Sequence, residues 1–166
     1  MDSSIDSVQR IYPRPVHYRD MVEAWGRRMS GEHDLETLLT NMTATLAPDV
    51  YVFATLPPGS VIPDGTETLM RFHEAEGITL ILTREAAIAH SIDHSFACRM
   101  ISLDVHSALE AVGFIAAISA ALAAKGMGVN PVAGYFHDHL FVPENRADDA
   151  MAVLAEIATA AAHRHG

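Results

Sequence analysis

Leu35, Leu38, Leu39, Met42 and Leu46 recur at helical spacing, so the first clear apolar pattern is one stripe of a helix. Asp34 stands ahead of it as an N-cap, and Pro48-Asp49 marks its expected end. DVYVFATL (49–56) is β-branched and aromatic, and reads as a strand. PPGSVIPDG (57–65) is a loop by its prolines and glycines. TLMRFHE and ITLILT, separated by AEG, form a predicted hairpin, followed by a short helix from Arg84 to His90 capped by Thr83.

Further along, FACRMISLDV (96–105) predicts a strand and SALEAVGFIAAISAALAAKG a helix. Ser107 and Glu110 have capping-box spacing, Ile115, Ile118 and Leu122 mark a packed face, and Lys125-Gly126 make a C-terminal stop. MGVNPVAGYF and HLFVPE are two strands around a histidine cluster. Asn145 is the expected cap of a last helix with Ala150, Val153, Leu154 and Ile157 on one face. The order β-α-β-β-α is a split βαβ pattern, and the first half reads as a degenerate copy of it.

The 166 residues suit one compact domain or two small halves sharing a core. Residues 1–30 stand apart: they carry two prolines, the only tryptophan (Trp25) and five of the eleven cationic residues. They read as an arm, disordered or upstream of the true start, with Met29 as an alternative initiator. No apolar stretch reaches the roughly 18 residues of a membrane span, and no basic segment leads an apolar one as in a signal peptide. A cytoplasmic location is therefore expected. The net charge of −10 and the absence of a basic stripe disfavour nucleic acid as a partner.

Candidate chemistry concentrates in GYFHDHLF (134–141). His137 and His139 share a strand face by alternation, and with His106 they offer a three-imidazole metal site of a metal-dependent enzyme. Against this, Asp138 favours turns, which makes His137 and Asp138 the exposed tip of a hairpin with His139 starting the return strand. Ser107 beside His106 and Asp104 has a nucleophile's company, but its capping spacing explains it more simply and no G-x-S-x-G elbow is present. Cys98 is the lone cysteine, set mid-strand among apolar neighbours, and reads as core. His163 and His165 read as a frayed, solvated end.

The stretch ISLDVHSALEAVGFIAAISAALAAKGMGVNPVAGYFHDHLFVPENRADDAMAVL resembles an ACT domain. The features are a strand, a loop with Gly113 at the opening of a helix, then ALAAKGMGVNPVAGYF and DHLFVP, closed by a helix. YVFATL and EAEGITLILTREAA are similar to the companion segment of small bacterial tandem-ACT proteins of uncharacterised function. The resemblance implies an α+β fold of ferredoxin-like βαββαβ modules, two ACT-like halves in tandem. The halves would span 31–93 and 94–162, with an arm at 1–30 and a tail at 163–166. It also implies a non-catalytic regulatory protein that needs no cofactor, forms a homodimer, and binds a small-molecule ligand, an amino acid. In such modules the ligand sits against the loop joining the first strand to the first helix. Carried onto this chain, the site is Asp104, Val105, His106, Ser107, Gly113 and Phe114, faced by Ala133, Gly134 and Tyr135. Asp104 would pair with an α-amino group. LDVHS departs from many ligand-binding loops of the family, which leaves the ligand's chemistry open. A ligand-free dimerisation module is the remaining alternative.

Overall fold

Each strand of this chain has one face that needs covering, and six of them share a single sheet. A computed structural model describes residues 31–165; the expectations for the arm at 1–30 lie outside the described residues. The chain runs α1 (Leu35–Asn41), β1 (Ala44–Leu56), β2 (Met70–His73), β3 (Ile78–Thr83), α2 (Arg84–Ala89) and β4 (His94–Leu103). It continues as α3 (Phe114–Ala124), β5 (Asn130–Ala133), β6 (Asp138–Pro143), a 3-10 turn (Glu144–Arg146) and α4 (Ala147–His165). The sheet order is β2-β3-β1-β4-β6-β5, with every neighbouring pair antiparallel.

Two copies of one plan meet at the β1–β4 seam. Met70 opposite Ile81 in the first hairpin corresponds to Asn130 opposite Phe141 in the second. Arg84 and Glu144, each the first residue after β3 or β6, join across the seam at 2.9 Å. Both side chains are partly exposed, so the pair is worth about 0–1 kcal/mol. Each half brings three strands where a βαββαβ module has four. The first strand of either half occupies the place of the other's fourth, so β1 and β4 cover each other's edges.

Alternation along the strands sorts the core onto two faces. Ile101, Leu103, Leu140 and Val142 meet α1, α3 and α4 through Leu38, Phe114, Ile118, Leu122 and Leu154. On the same face of the first half, Val52, Ala54, Leu80 and Leu82 pack against Ala87 of α2 and Ile92. The opposite face gathers Tyr51, Ile81, Cys98, Met100 and Phe141.

Several boundaries differ from the sequence reading. Asp34 caps α1 as expected, accepting from Thr37 N at 2.8 Å, but the helix ends at Asn41 and β1 already begins at Ala44. Leu46 therefore belongs to a strand: its spacing from Met42 fits a helix, while the Thr43–Leu46 alternation fits β structure equally well. Pro48, which has no N–H to give the ladder, is tolerated because the register slips between Leu46 and Val50, a bulge where no ladder donor is required. The expected helix from Ser107 begins only at Phe114. Gly113 precedes it at φ 95°, a backbone that resets the chain's direction and that a Cβ would strain. Thr83 caps α2, and Gly126 ends α3 at φ 69°, as expected. Asn145 lies inside the 3-10 turn and caps nothing, the turn's own backbone leading directly into α4. That helix continues through His163, whose Nδ1 meets Thr159 O at 2.7 Å, so the expected frayed end is helical.

Candidate functional site

The loop from Asp104 to Gly113 leaves β4 at the end of the sheet and doubles back to start α3. Three contacts hold it. Gly31–His33 runs alongside: Glu32 N donates to His106 O at 2.9 Å, and Ala108 N donates to Glu32 O at 3.0 Å, a short parallel bridge. Ser107 Oγ donates to Asp138 Oδ2 at 2.9 Å, with both residues buried. Asp104 N donates to Thr43 O at 2.7 Å, while the Asp104 carboxylate accepts from the Thr45 hydroxyl. A loop without helix or strand is thus tied to three separate segments.

A pocket of about 270 Å³ opens on this loop. His106, Ser107, Ala108, Leu109 and Glu110 form one wall, Gly31 and His33 another, and Tyr135 a third. The His106 ring meets Phe136 at 5.4 Å between centroids, and Phe136 in turn meets Tyr135 at 5.0 Å, so the wall residues are positioned by ring contacts. The pocket offers a carboxylate, two imidazoles, a hydroxyl and a phenol around a small volume, which suits a zwitterion of metabolite size more than a purely apolar ligand.

Of the residues picked out by sequence, His106, Ser107 and Tyr135 line this pocket. Gly113 stands at the helix start outside the lining, and Phe114 is buried in the core cluster that includes Ile118 and Leu38. Asp104, Val105, Ala133 and Gly134 are outside the lining, Asp104 being held by Thr45 instead. Gly31 and His33, which no pattern in the sequence marks, complete the pocket. Glu110 is there too, not as the end of a capping box but as an exposed loop carboxylate.

GYFHDHLF resolves differently from either earlier reading. The turn comprises Gly134–His137, closed by Gly134 N donating to His137 O at 2.9 Å, and Asp138 is the first residue of β6 opposite Ala133. Asp138 is only 8% exposed and His137 is half-buried, so the expectation of an exposed tip is corrected. The buried carboxylate is stabilised by the Ser107 hydroxyl, which the isolated strand pattern cannot reveal. The three imidazoles do not converge. His137 Nδ1 meets Val105 O at 3.3 Å, His139 Nδ1 meets Ser102 Oγ at 2.9 Å, and His106 lies against Phe136. Among the described residues no group of three or more His, Cys, Asp or Glu is placed to hold a metal ion. Burial, and then the neighbouring His137, hold the His139 imidazole below the ordinary histidine pKa, against a partial upward pull from Asp138 and Asp104. Cys98, fully buried, has its thiol pushed up to about 12 by burial and secondarily by Glu144. Among the described residues no helix is long and apolar enough to cross a membrane.

Comparison with known proteins places these features in company. Two models described as ACT domain match the chain, one over residues 30–99 and the other over 95–156. A solved Vibrio cholerae protein of unknown function, described as a possible transport protein, is 40% identical with a TM-score of 0.68, covering 78% of this chain and 99% of its own. An Agrobacterium tumefaciens protein is 17% identical with a TM-score of 0.60, covering 70% of this chain and 89% of its own. The regulatory subunit of aspartate kinase from Thermus flavus is 12% identical with a TM-score of 0.52, over 70% of this chain and 97% of its own, a likeness of fold alone. No curated protein matches the chain.

Proposed function

Because this chain belongs to the ACT-domain family, with two such domains in tandem, we propose that it is a non-catalytic sensor that binds an amino acid in the pocket at the β4–α3 loop. The observation carrying this reading is the coincidence of that pocket with the strand-to-helix loop at which the family resemblance puts the ligand. Its size, about 270 Å³, suits a free amino acid. In this reading Glu110 takes the α-ammonium, the role expected of Asp104, since Asp104 is occupied with Thr45 while Glu110 is an exposed carboxylate of the lining with no ion pair among the described residues. His33 and His106 face the carboxylate, and Tyr135 covers the side chain. Gly113 lets the loop turn into α3 behind the ligand; Val105, Phe114, Ala133 and Gly134 support the walls without touching it.

The same pocket supports an association between two copies. Leu109 and Tyr135 of its lining are large side chains exposed at 67% and 53%, and Val112, further along the same loop, is exposed at 84%. A homodimer meeting there would cover them and read ligand occupancy directly. We place the division between the two ACT domains at 93/94, the start of β4, and take a reducing, cytoplasmic setting as part of the reading.

Thermal melts of the full chain against the proteinogenic amino acids test this. A ligand at about 100 times its dissociation constant adds about 2.7 kcal/mol of stability. A rise in Tm with one or a few amino acids, lost in Glu110→Gln and in Tyr135→Ala, is the expected result. No shift with any of them, in a protein that melts cooperatively, overturns the sensor and leaves a ligand-free interaction module.

A further inference from the structure

The face of the sheet turned away from the helices holds a separate cavity of about 260 Å³, lined by Met70, Ile81, Met100, Val132, His139 and Phe141 together with Leu69 and Gly134. Met70 is on β2 and Val132 on β5, the two outer strands of the sheet. In a flat sheet of that order the outer strands would stand roughly 24 Å apart, at about 4.8 Å per step. A single small cavity touches both only because the sheet curls around this face. The curl is packed from inside by Phe141, which meets Tyr51 and Phe53 edge-on at 6.0 and 5.6 Å between centroids.

The lining has a defined chemistry. Two methionines give it soft, adaptable walls. An apolar cavity of about 150 Å³ already accepts benzene, and drug-sized ligands occupy roughly 300 Å³ upward. The volume here therefore suits a ring or branched body with one short substituent. Among the residues that line it, His139 carries the only polar side chain. The hydroxyl of Ser102, a residue only 4% exposed, has His139 Nδ1 as its one hydrogen-bond partner among the described residues. We assign the buried hydroxyl proton to Nδ1, its one acceptor among the described residues, which places the ring's own proton on Nε2. A Cβ at Gly134 would stand 3.3 Å from that Nε2, so the bare glycine leaves the Nε2 edge open. Burial keeps the imidazole neutral, and a charged guest would lose its hydration with no opposite charge to meet.

We propose that this cavity is a second ligand site, distinct from the pocket at the β4–α3 loop, for a compact uncharged molecule with an apolar body and one hydrogen-bond acceptor directed at His139 Nε2.

Full-length protein carrying 13C-methyl methionine tests it with three probes of similar shape: acetophenone, ethylbenzene and benzoate. The Met70 and Met100 methyl signals should shift saturably with acetophenone, at about threefold to tenfold lower concentration than with ethylbenzene. Benzoate should leave them in place over the same range. Val132→Trp fills the cavity from one outer strand and Met70→Trp from the other; either should abolish the shifts in a folded protein, read at Met100 alone in the Met70 variant. His139→Leu should bring acetophenone down to the level of ethylbenzene. The proposal is overturned if neither neutral probe saturates, if binding survives both tryptophan variants, or if benzoate binds as well as acetophenone.

Discussion

Ser107 Oγ donates to Asp138 Oδ2 across 2.9 Å, binding the loop after β4 to the first residue of β6 inside a buried environment. A carboxylate left there alone would keep its desolvation cost without its donor. Ser107→Ala should therefore destabilise the protein by about 1–3 kcal/mol in urea unfolding. Asp138→Asn should cost less, and the double variant should be better than the sum of the two, which a double-mutant cycle measures. A loss below about 0.5 kcal/mol in Ser107→Ala would show that the pair does not hold the loop.

His139 makes stability depend on pH. Its folded pKa lies below its ordinary value of 6.5, chiefly through burial, with His137 adding and Asp138 and Asp104 partly opposing. The unfolded chain then binds the proton more readily, so the contribution is complete above 6.5 and is lost as pH falls from there through the folded pKa. Between about pH 7.5 and 5.5 the Tm of the wild type should drop more than that of His139→Gln. Equal slopes in the two proteins would remove His139 as the cause.

Cys98 should be inert while the protein is folded. Its thiol pKa of about 12 and its full burial leave almost no thiolate at neutral pH. Ellman's reagent should react only as fast as the protein opens, and at once in denaturant. Rapid labelling of the native protein would contradict the burial of β4.

Gly113 turns at φ 95°, and a Cβ there would also approach Leu35 Cδ2 at 3.4 Å. Gly113→Val should lower stability by about 1–3 kcal/mol through backbone strain. It should also weaken any amino-acid-dependent rise in Tm, since the loop behind the pocket would shift. An unchanged melt would mean that the loop can relax the strain elsewhere.

What the sequence disclosed was mostly local. Asp34 and Thr83 as caps, Gly126 as a stop, and the first hairpin depend on neighbours in the chain and stand where the pattern put them, whereas the second hairpin turns at Gly134–His137 and not at His137-Asp138. Ser107 and Glu110 misled because a capping box is judged by spacing alone, whereas the Ser107 hydroxyl has a partner thirty-one residues away. His106, Ser107 and Tyr135 could be anticipated from the loop they sit on or face. Gly31 and His33 could not: they have no periodicity, and they reach the pocket through a bridge between Glu32 and Ser107 that only the folded chain makes. The curl of the sheet is hidden for the same reason, because it brings together Met70 and Val132 from strands that never pair.

The connection from β1 to β2 crosses residues 57–69 without a helix, whereas that from β4 to β5 carries α3 and the loop that walls the pocket. Repetition of the strands has not repeated this loop. A chain built on two like halves thus presents the β4–α3 pocket once, and amino acid should saturate it at one equivalent per polypeptide. A sigmoidal response, if the sensor has one, then has to arise between polypeptides and not within one.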